Sequence, residues 1–275
     1  MTTALDVHAY FDRIGYLGSA EPTLATLRGL VAAHNRSIPF ENLDPLTGVP
    51  VGDLGAGALA DKLVDRRRGG YCYEHNGVMG YALQELGFDV ERLAGRVVWM
   101  STTDTLPAQT HETLAVTVPT VDGPWLVDVG FGGQTLSSPI RLETGTVQET
   151  RHEPYRIQVH GEGYVLQAQI RDEWQSLYLF TTQPRPQIDL EVGSWYVSTH
   201  PRSHFVTGLS VALITDDARW NLRGRNLAIH GNGGTERIRF ETAADVLVAL
   251  TDRFGIDLTD VDAGLEARVD EVLDI

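Results

Sequence analysis

The sequence predicts an α+β protein: a helical bundle first, a central antiparallel β-barrel or curled sheet, and a mixed α/β unit last. Three observations predict it. Apolar residues recur at helical spacing as far as residue 88. From Phe88 the segments turn β-branched and aromatic, with Gly, Asp and Pro between them. Toward the end, strand-like and helix-like stretches mix. The expected units are residues 1–88, 89–190 and 191–275, a division that suits 275 residues.

The elements follow in order. In "LDVHAYFDRIGY", Tyr10, Phe11 and Ile14 lie at helical spacing. In "EPTLATLRGLVAAH", Pro22 suits a first turn, and Leu24, Leu27 and Val31 make a stripe. Leu59 and Leu63 repeat in "GALADKLVDRRRGG", where Gly69-Gly70 is expected to end the helix. A new helix opens near Cys72, with Val78, Met79, Ala82, Leu83 and Leu86 on its apolar face and Gly87 as its stop. "VERLAGRVVWM", "TLAVTV", "PWLVDVGF", "PYRIQVHGEGYVLQAQI" and "EWQSLYLF" then read as antiparallel strands and hairpins. "TTQPRPQIDLEVG" reads as a proline-punctuated connection. "HFVTGLSVALIT" and "NLAIHGNGGTERIRF" read as strands, "GNGG" at 231–234 as a hairpin closure, and "TAADVLVALTDRFG" as a helix.

The formal net charge of −15 argues against a general nucleic-acid or acidic-membrane binder, which needs a basic footprint. A single cysteine makes no internal disulfide and suits a reducing compartment. "MTTALDVHAYFDR" lacks the basic start and apolar run of a secretory signal, and "GLSVALIT" is far too short to span a bilayer. The expectation is a soluble, cytoplasmic protein. CxxC and HExxH spacings are absent, so no metal is expected.

The chemistry centres on "RRGGYCYEHN". A lone cysteine is more often inert core than nucleophile. Here, however, two glycines precede Cys72 and allow a close approach to the backbone, and Cys72 falls in the first turn of a helix. Free N–H groups and the helix dipole stabilise a thiolate there. A thiolate nucleophile wants an imidazole, and the imidazole wants an orienting group. His75 lies nearest, within reach of Cys72 or solvated on its helix. His111, at a strand entry in "AQTHETLAVTV", is the stronger candidate. Asp128 sits alone within the apolar run "PWLVDVGF", where a carboxylate needs a partner. The two strands are successive, but register decides whether they meet. A tight turn at Asp122-Gly123 sets Asp128 against Thr117, whereas a longer loop centred near Pro119 brings it and His111 together. "VGFGGQT" lacks full dinucleotide-binding spacing and reads as possible backbone donors for a ligand.

"RRGGYCYEHN", "THETLAV" and "LVDVGFGG", in this order, resemble the arylamine N-acetyltransferases, as do "IPFENLD" and "SWYVSTHPRSHF". The resemblance covers essentially the whole chain. It implies a helical domain, a β-barrel and an α/β lid, with a papain- or transglutaminase-like site of Cys72, His111 and Asp128 at their junction. It also implies acetyl-CoA as donor substrate, an acetyl-cysteine thioester intermediate, and an arylamine, arylhydroxylamine or hydrazine acceptor, the chemistry of xenobiotic metabolism. By the same resemblance Thr110, Gly130, Gly132 and His204 line the coenzyme cleft. Phe40, Trp99, Phe131 and Phe205 form aromatic walls, and Glu41 and Arg68 form an ion pair under the cysteine loop. The alternatives are an amide synthase of the same family, a hydrolase or acyl transferase using the same three residues, and a non-enzymatic interaction protein.

Overall fold

A computed structural model describes residues 5–101 and 105–274. Helix α1 (Val7–Ile14) starts where the Asp6 side chain accepts from the N–H groups of His8 and Ala9, and stops at Gly15 with φ of 64°. Helix α2 (Leu24–Ser37) is capped by the Thr23 hydroxyl, which accepts from Thr26 N–H. Pro22 therefore precedes the cap instead of occupying the first turn. After a single helical turn at Leu43–Leu46, a further helix begins at Ala56 and widens into a π-helical stretch over Ala60–Asp65. It ends before Arg67, which carries the left-handed backbone (φ 50°), so Gly69-Gly70 is not its stop.

Those glycines serve close approach instead. A Cβ on Gly69 would run into the Pro39 carbonyl and Glu41, and one on Gly70 would meet Glu74 Oε2 at 2.6 Å. Helix α3 (Cys72–Glu85) follows at once, started by Glu74 reaching back to Tyr71 N–H at 3.0 Å. Cys72 through Gly80 are all buried, so α3 is an interior helix with little amphipathic contrast.

The barrel strands are β1 (Asp89–Val97), β2 (His111–Thr117), β3 (Pro124–Val127), β4 (Tyr155–His160), β5 (Gly163–Ile170) and β6 (Glu173–Phe180). With short strands at Ile140–Arg141 and Val147–Gln148 they form one eight-stranded antiparallel sheet. The two short strands are its edges, and only residues 142–146 join them, so the sheet must curl until its edges lie side by side. The Gln148 amide closes the seam, accepting from Arg141 N–H at 2.6 Å and donating to Arg141 O at 2.9 Å. The fold class read from the sequence, including the antiparallel barrel, holds.

Two further segments differ from the sequence reading. The proline-punctuated connection ends at Pro186, which caps helix α4 (Gln187–Thr199). Leu190 and Val197 of α4 face inward while Ile188, Val192 and Trp195 are exposed, so apolar residues on both faces blurred the period. In "HFVTGLSVALIT", His204–Thr207 is a helical turn capped by Ser203, and only Ser210–Ile214 is strand.

The last sheet has five strands: Phe40–Glu41 at one edge, then β7 (Ser210–Ile214), β8 (Ala218–Arg223), β9 (Asn226–Gly231) and β10 (Gly234–Arg239). The "GNGG" stretch closes the β9–β10 hairpin, pairing Gly231 with Gly234. Helices α5 (Ala243–Asp252) and α6 (Leu265–Val272) bury Val246, Leu250 and Val269 against this sheet. Phe40–Glu41 joins β7 on one side while Glu41 N–H donates to Gly70 O at 2.8 Å on the other. That short strand thus ties the cysteine loop to the last sheet. Among the described residues, no helix is long and apolar enough to cross a membrane.

Candidate active site

Strand β2 opens on His111, and β3 runs directly into Asp128. Their register pairs Leu114 with Val127 and Thr117 with Pro124. One more step sets Asp128 against Thr113, two residues along the same face from His111. The connecting loop spans residues 118–123, so the tight turn at Asp122-Gly123 is not formed and a longer loop brings the two residues together, diagonally rather than directly opposed. His111 and Asp128 are diagonal neighbours, a separation that an imidazole and a carboxylate bridge. His111 Nε2 lies 2.7 Å from Asp128 Oδ2. Across β1, Gly95 pairs with His111, and a Cβ there would crowd the Tyr178 ring at 3.1 Å and touch the imidazole at an ordinary 3.5 Å.

With Nε2–H given to Asp128, Nδ1 is the nitrogen left for the thiol, and the Cys72 sulfur lies near enough to favour a protonated imidazole. Cys72 Sγ also lies 3.6 Å from Thr110 O. Cys72, His111 and Asp128 are 4%, 2% and 1% exposed, so their interactions are little screened by water. Burial works against a charged imidazole, but the Asp128 carboxylate and the Cys72 sulfur overcome it and push His111 up to about 10. Burial likewise works against the Asp128 carboxylate. Charge and hydrogen bonding from His111, then hydrogen bonds from Asn76 and Gly130, hold it below the usual carboxylate range. The arrangement can keep an imidazolium beside Cys72 at neutral pH.

Behind the cysteine lies a buried ionic cluster. Arg68 meets Glu41 and Asp44 at 2.8 Å each, and Lys62 meets Asp44 and Glu74 at 2.6 Å each. The Glu41–Arg68 pair was expected; Lys62, Asp44 and Glu74 were not. Burial disfavours the Lys62 ammonium, but Glu74, Glu41 and Asp44 raise it to about 12. Since Glu74 also starts α3, the cluster anchors the helix end that carries Cys72.

His75 neither serves Cys72 nor meets solvent. It is buried, with Nδ1 2.7 Å from His34 Nε2 and Nε2 3.1 Å from Pro39 O. Tyr10 OH lies 2.8 Å from His34 Nδ1. Burial lowers both imidazoles and keeps them neutral, and because Pro39 O only accepts, each passes its N–H one step along the chain. Burial pushes His75 down to about 4, consistent with that state.

The other candidates divide. Gly130 N–H donates to Asp128 Oδ1 at 3.0 Å. Phe131 stands edge-on to His111 with centroids 5.1 Å apart. Gly132 has φ of 75°, and a Cβ there would lie 3.6 Å from the Phe40 ring. Phe40 and Phe205 pack edge-to-face at 5.7 Å, and Phe205 lies 5.3 Å from Tyr71. Trp99 is half-buried against the barrel core, and His204 is exposed at the start of its helical turn. Neither has a described contact with Cys72, His111 or Asp128.

Four residues at the site escaped sequence reading. Tyr178 on β6 lies 4.7 Å from the His111 ring, and Arg92 clamps Glu112 at 2.6 Å directly beside His111. Asn76 donates to Asp128 Oδ1 at 3.1 Å. The signal for Asn76 was its place one helical turn after Cys72.

Comparison with known proteins agrees. A family model described as N-acetyltransferase matches residues 23–263. An arylamine N-acetyltransferase from Mycolicibacterium smegmatis is 69% identical over 274 residues, covering 98% of this chain and 99% of its own. One from Escherichia coli is 38% identical, covering 96% of this chain and 92% of its own. The solved structure of Mycobacterium marinum arylamine N-acetyltransferase in complex with CoA superposes with a TM-score of 0.95 at 65% identity, covering 97% of this chain and 99% of that one.

Proposed function

The chain belongs to the arylamine N-acetyltransferase family, and from that premise we propose how its residues perform the reaction. The activity is acetyl-CoA-dependent N-acetylation of arylamines, with acetyl-CoA as donor substrate. We assign arylhydroxylamines and hydrazines as further acceptors and the cytoplasm as its location, where a lone thiol stays reduced. Residues 1–88, 89–190 and 191–275 serve as its helical, barrel and lid units.

The Cys72 thiolate attacks the thioester carbonyl of acetyl-CoA, forming a carbon–sulfur bond and pushing charge onto the oxygen. Backbone N–H groups in the first turn of α3 receive that charge, being the donors a helix start leaves free. The carbon–sulfur bond to coenzyme A then breaks, and the leaving thiolate takes the proton of the His111 imidazolium. Acetyl-Cys72 and neutral His111 remain. The amine attacks the acetyl carbon, gives its proton to His111, and leaves as the amide while the Cys72 thiolate reforms. Asp128 stays ionised and keeps the imidazole in one orientation. Thr110, Gly130, Gly132 and His204 line the coenzyme side, and Phe40, Trp99, Phe131 and Phe205 the acceptor side.

The observation that carries this reading is a buried His111 that Asp128 holds at 2.7 Å, with the Cys72 sulfur 3.6 Å from the Thr110 carbonyl just before it. Initial-rate kinetics with acetyl-CoA and an arylamine test it. Parallel double-reciprocal lines support a covalent carrier. Intersecting lines contradict it, and acyl transfer independent of acetyl-CoA favours the hydrolase alternative.

A further inference from the structure

Asn76 is fully buried on α3, one turn beyond Cys72. Its Nδ2 donates to Glu112 O at 2.6 Å, the carbonyl that follows His111, and to Asp128 Oδ1 at 3.1 Å. Its Oδ1 accepts from Val129 N–H at 3.0 Å. One amide therefore joins the helix of Cys72, the strand of His111 and the turn of Asp128. We propose that Asn76 is a positioning residue that locks these three elements together and turns the Asp128 carboxylate toward His111. The inference rests on the catalytic reading given above for Cys72, His111 and Asp128.

The contacts fix the amide's orientation. Flipped, Oδ1 would face two acceptors and Nδ2 would face the Val129 N–H, losing all three bonds. Asp128 is fixed in turn: Asn76 and Gly130 hold Oδ1, leaving Oδ2 for the imidazole. A Cβ on Gly130 would lie 2.7 Å from Cys72 Cα and 2.9 Å from Asn76 Nδ2, so the turn docks directly on the cysteine and on this amide.

An N–H bond to a carboxylate favours its charged form. Without it, Asp128 binds a proton at higher pH and supports the imidazolium less well, and Cys72 loses its charged partner. Several other groups face Asp128. His111 and Glu112 come from β2, Arg92 from β1 as the partner of Glu112, Cys72 from α3 as the partner of His111, Tyr178 from β6 and Tyr155 from β4. Burial drives both tyrosines well above their ordinary range, so they stay neutral. The Glu112–Arg92 pair is common to wild type and variant.

The test is the rate of Cys72 alkylation by iodoacetamide against pH in the full chain. Asn76→Ala is the main variant, and Asn76→Ser keeps a polar side chain too short to span the contacts. Asn35→Ala is the control, since Asn35 is a buried amide bonded to Leu136 O at 2.8 Å. Both Asn76 variants should shift the alkylation midpoint up by about one unit, lowering the rate on the acid side roughly tenfold. Asn35→Ala should lower thermal stability and leave the midpoint in place. An unshifted midpoint in folded Asn76 variants overturns the inference alone. A wild-type midpoint near the free-thiol value of about 8.5 overturns the catalytic reading, and the inference with it.

Discussion

Gly130→Ala adds one methyl group where the turn after Asp128 meets the cysteine helix. That Cβ would lie 2.7 Å from Cys72 Cα, 2.9 Å from Asn76 Nδ2 and 3.0 Å from Cys72 O. A carbon pair packs well at about 3.5–4.0 Å, so turn and helix must separate by close to 1 Å. Two of the three atoms belong to the Cys72 backbone and have no rotamer to escape into. Overpacking of this kind costs about 1–3 kcal/mol. Because Gly130 N–H holds Asp128, the shift reaches the contacts among the three catalytic groups, and a misplacement of about 1 Å costs roughly 100-fold in rate. Gly80→Ala, on the same helix, is the comparison. Its Cβ meets only Leu114 and Val90 side-chain atoms at 3.7–3.8 Å, an ordinary contact. Replacing a helical glycine without strain gains about 0.4–1 kcal/mol. Thermal unfolding and arylamine acetylation rates on both variants decide the matter. Gly130→Ala should lose stability and most activity, while Gly80→Ala should keep activity and melt higher. Wild-type kinetics in Gly130→Ala, or equal damage from Gly80→Ala, would refute the reasoning.

Two further perturbations follow from the buried charges. Lys62→Met removes the cation between Glu74 and Asp44 and should cost about 3–5 kcal/mol in urea unfolding, the range for stripping one partner from a buried pair. A loss under about 1 kcal/mol would show that the cluster does not anchor the helix start. Asp128→Asn probes the imidazolium. His111 is raised to about 10 in the folded protein, above its ordinary 6.5, so its pairing stabilises the fold fully below 6.5 and is lost as pH rises through about 10. The stability gap between wild type and Asp128→Asn should therefore be wide at neutral pH and narrow toward pH 10. A gap that widens with rising pH contradicts the assignment.

Much of the fold was legible because its elements obey simple periods. The glycine- and β-branched-rich middle announced a barrel, and its closure needed no extra signal, since the two edge strands are neighbours in sequence. Helix α4 was missed because Ile188, Val192 and Trp195 are apolar yet exposed, erasing the contrast that marks a face. At the site, Cys72 stands at a helix start and His111 at a strand entry, placements readable from residue order, whereas Asp128, read as lying within an apolar run, stands just past the end of its strand. Their meeting was not readable, because a loop over residues 118–123 makes the pairing diagonal. Asn76, Lys62 and Glu74 were hidden for another reason. Each earns its place through partners remote in sequence, such as Glu112 for Asn76 and Asp44 for Lys62, and polar side chains carry no periodic mark of burial.

The central claim is that Cys72 carries the acetyl group between donor and acceptor. Intact mass of the protein incubated with acetyl-CoA and no amine tests it most directly, beside Cys72→Ala treated identically. The account predicts a single acetyl adduct on the wild type that disappears when an arylamine is added, and no adduct on the variant. A folded wild type that stays unmodified, or an adduct that persists in Cys72→Ala, would contradict it.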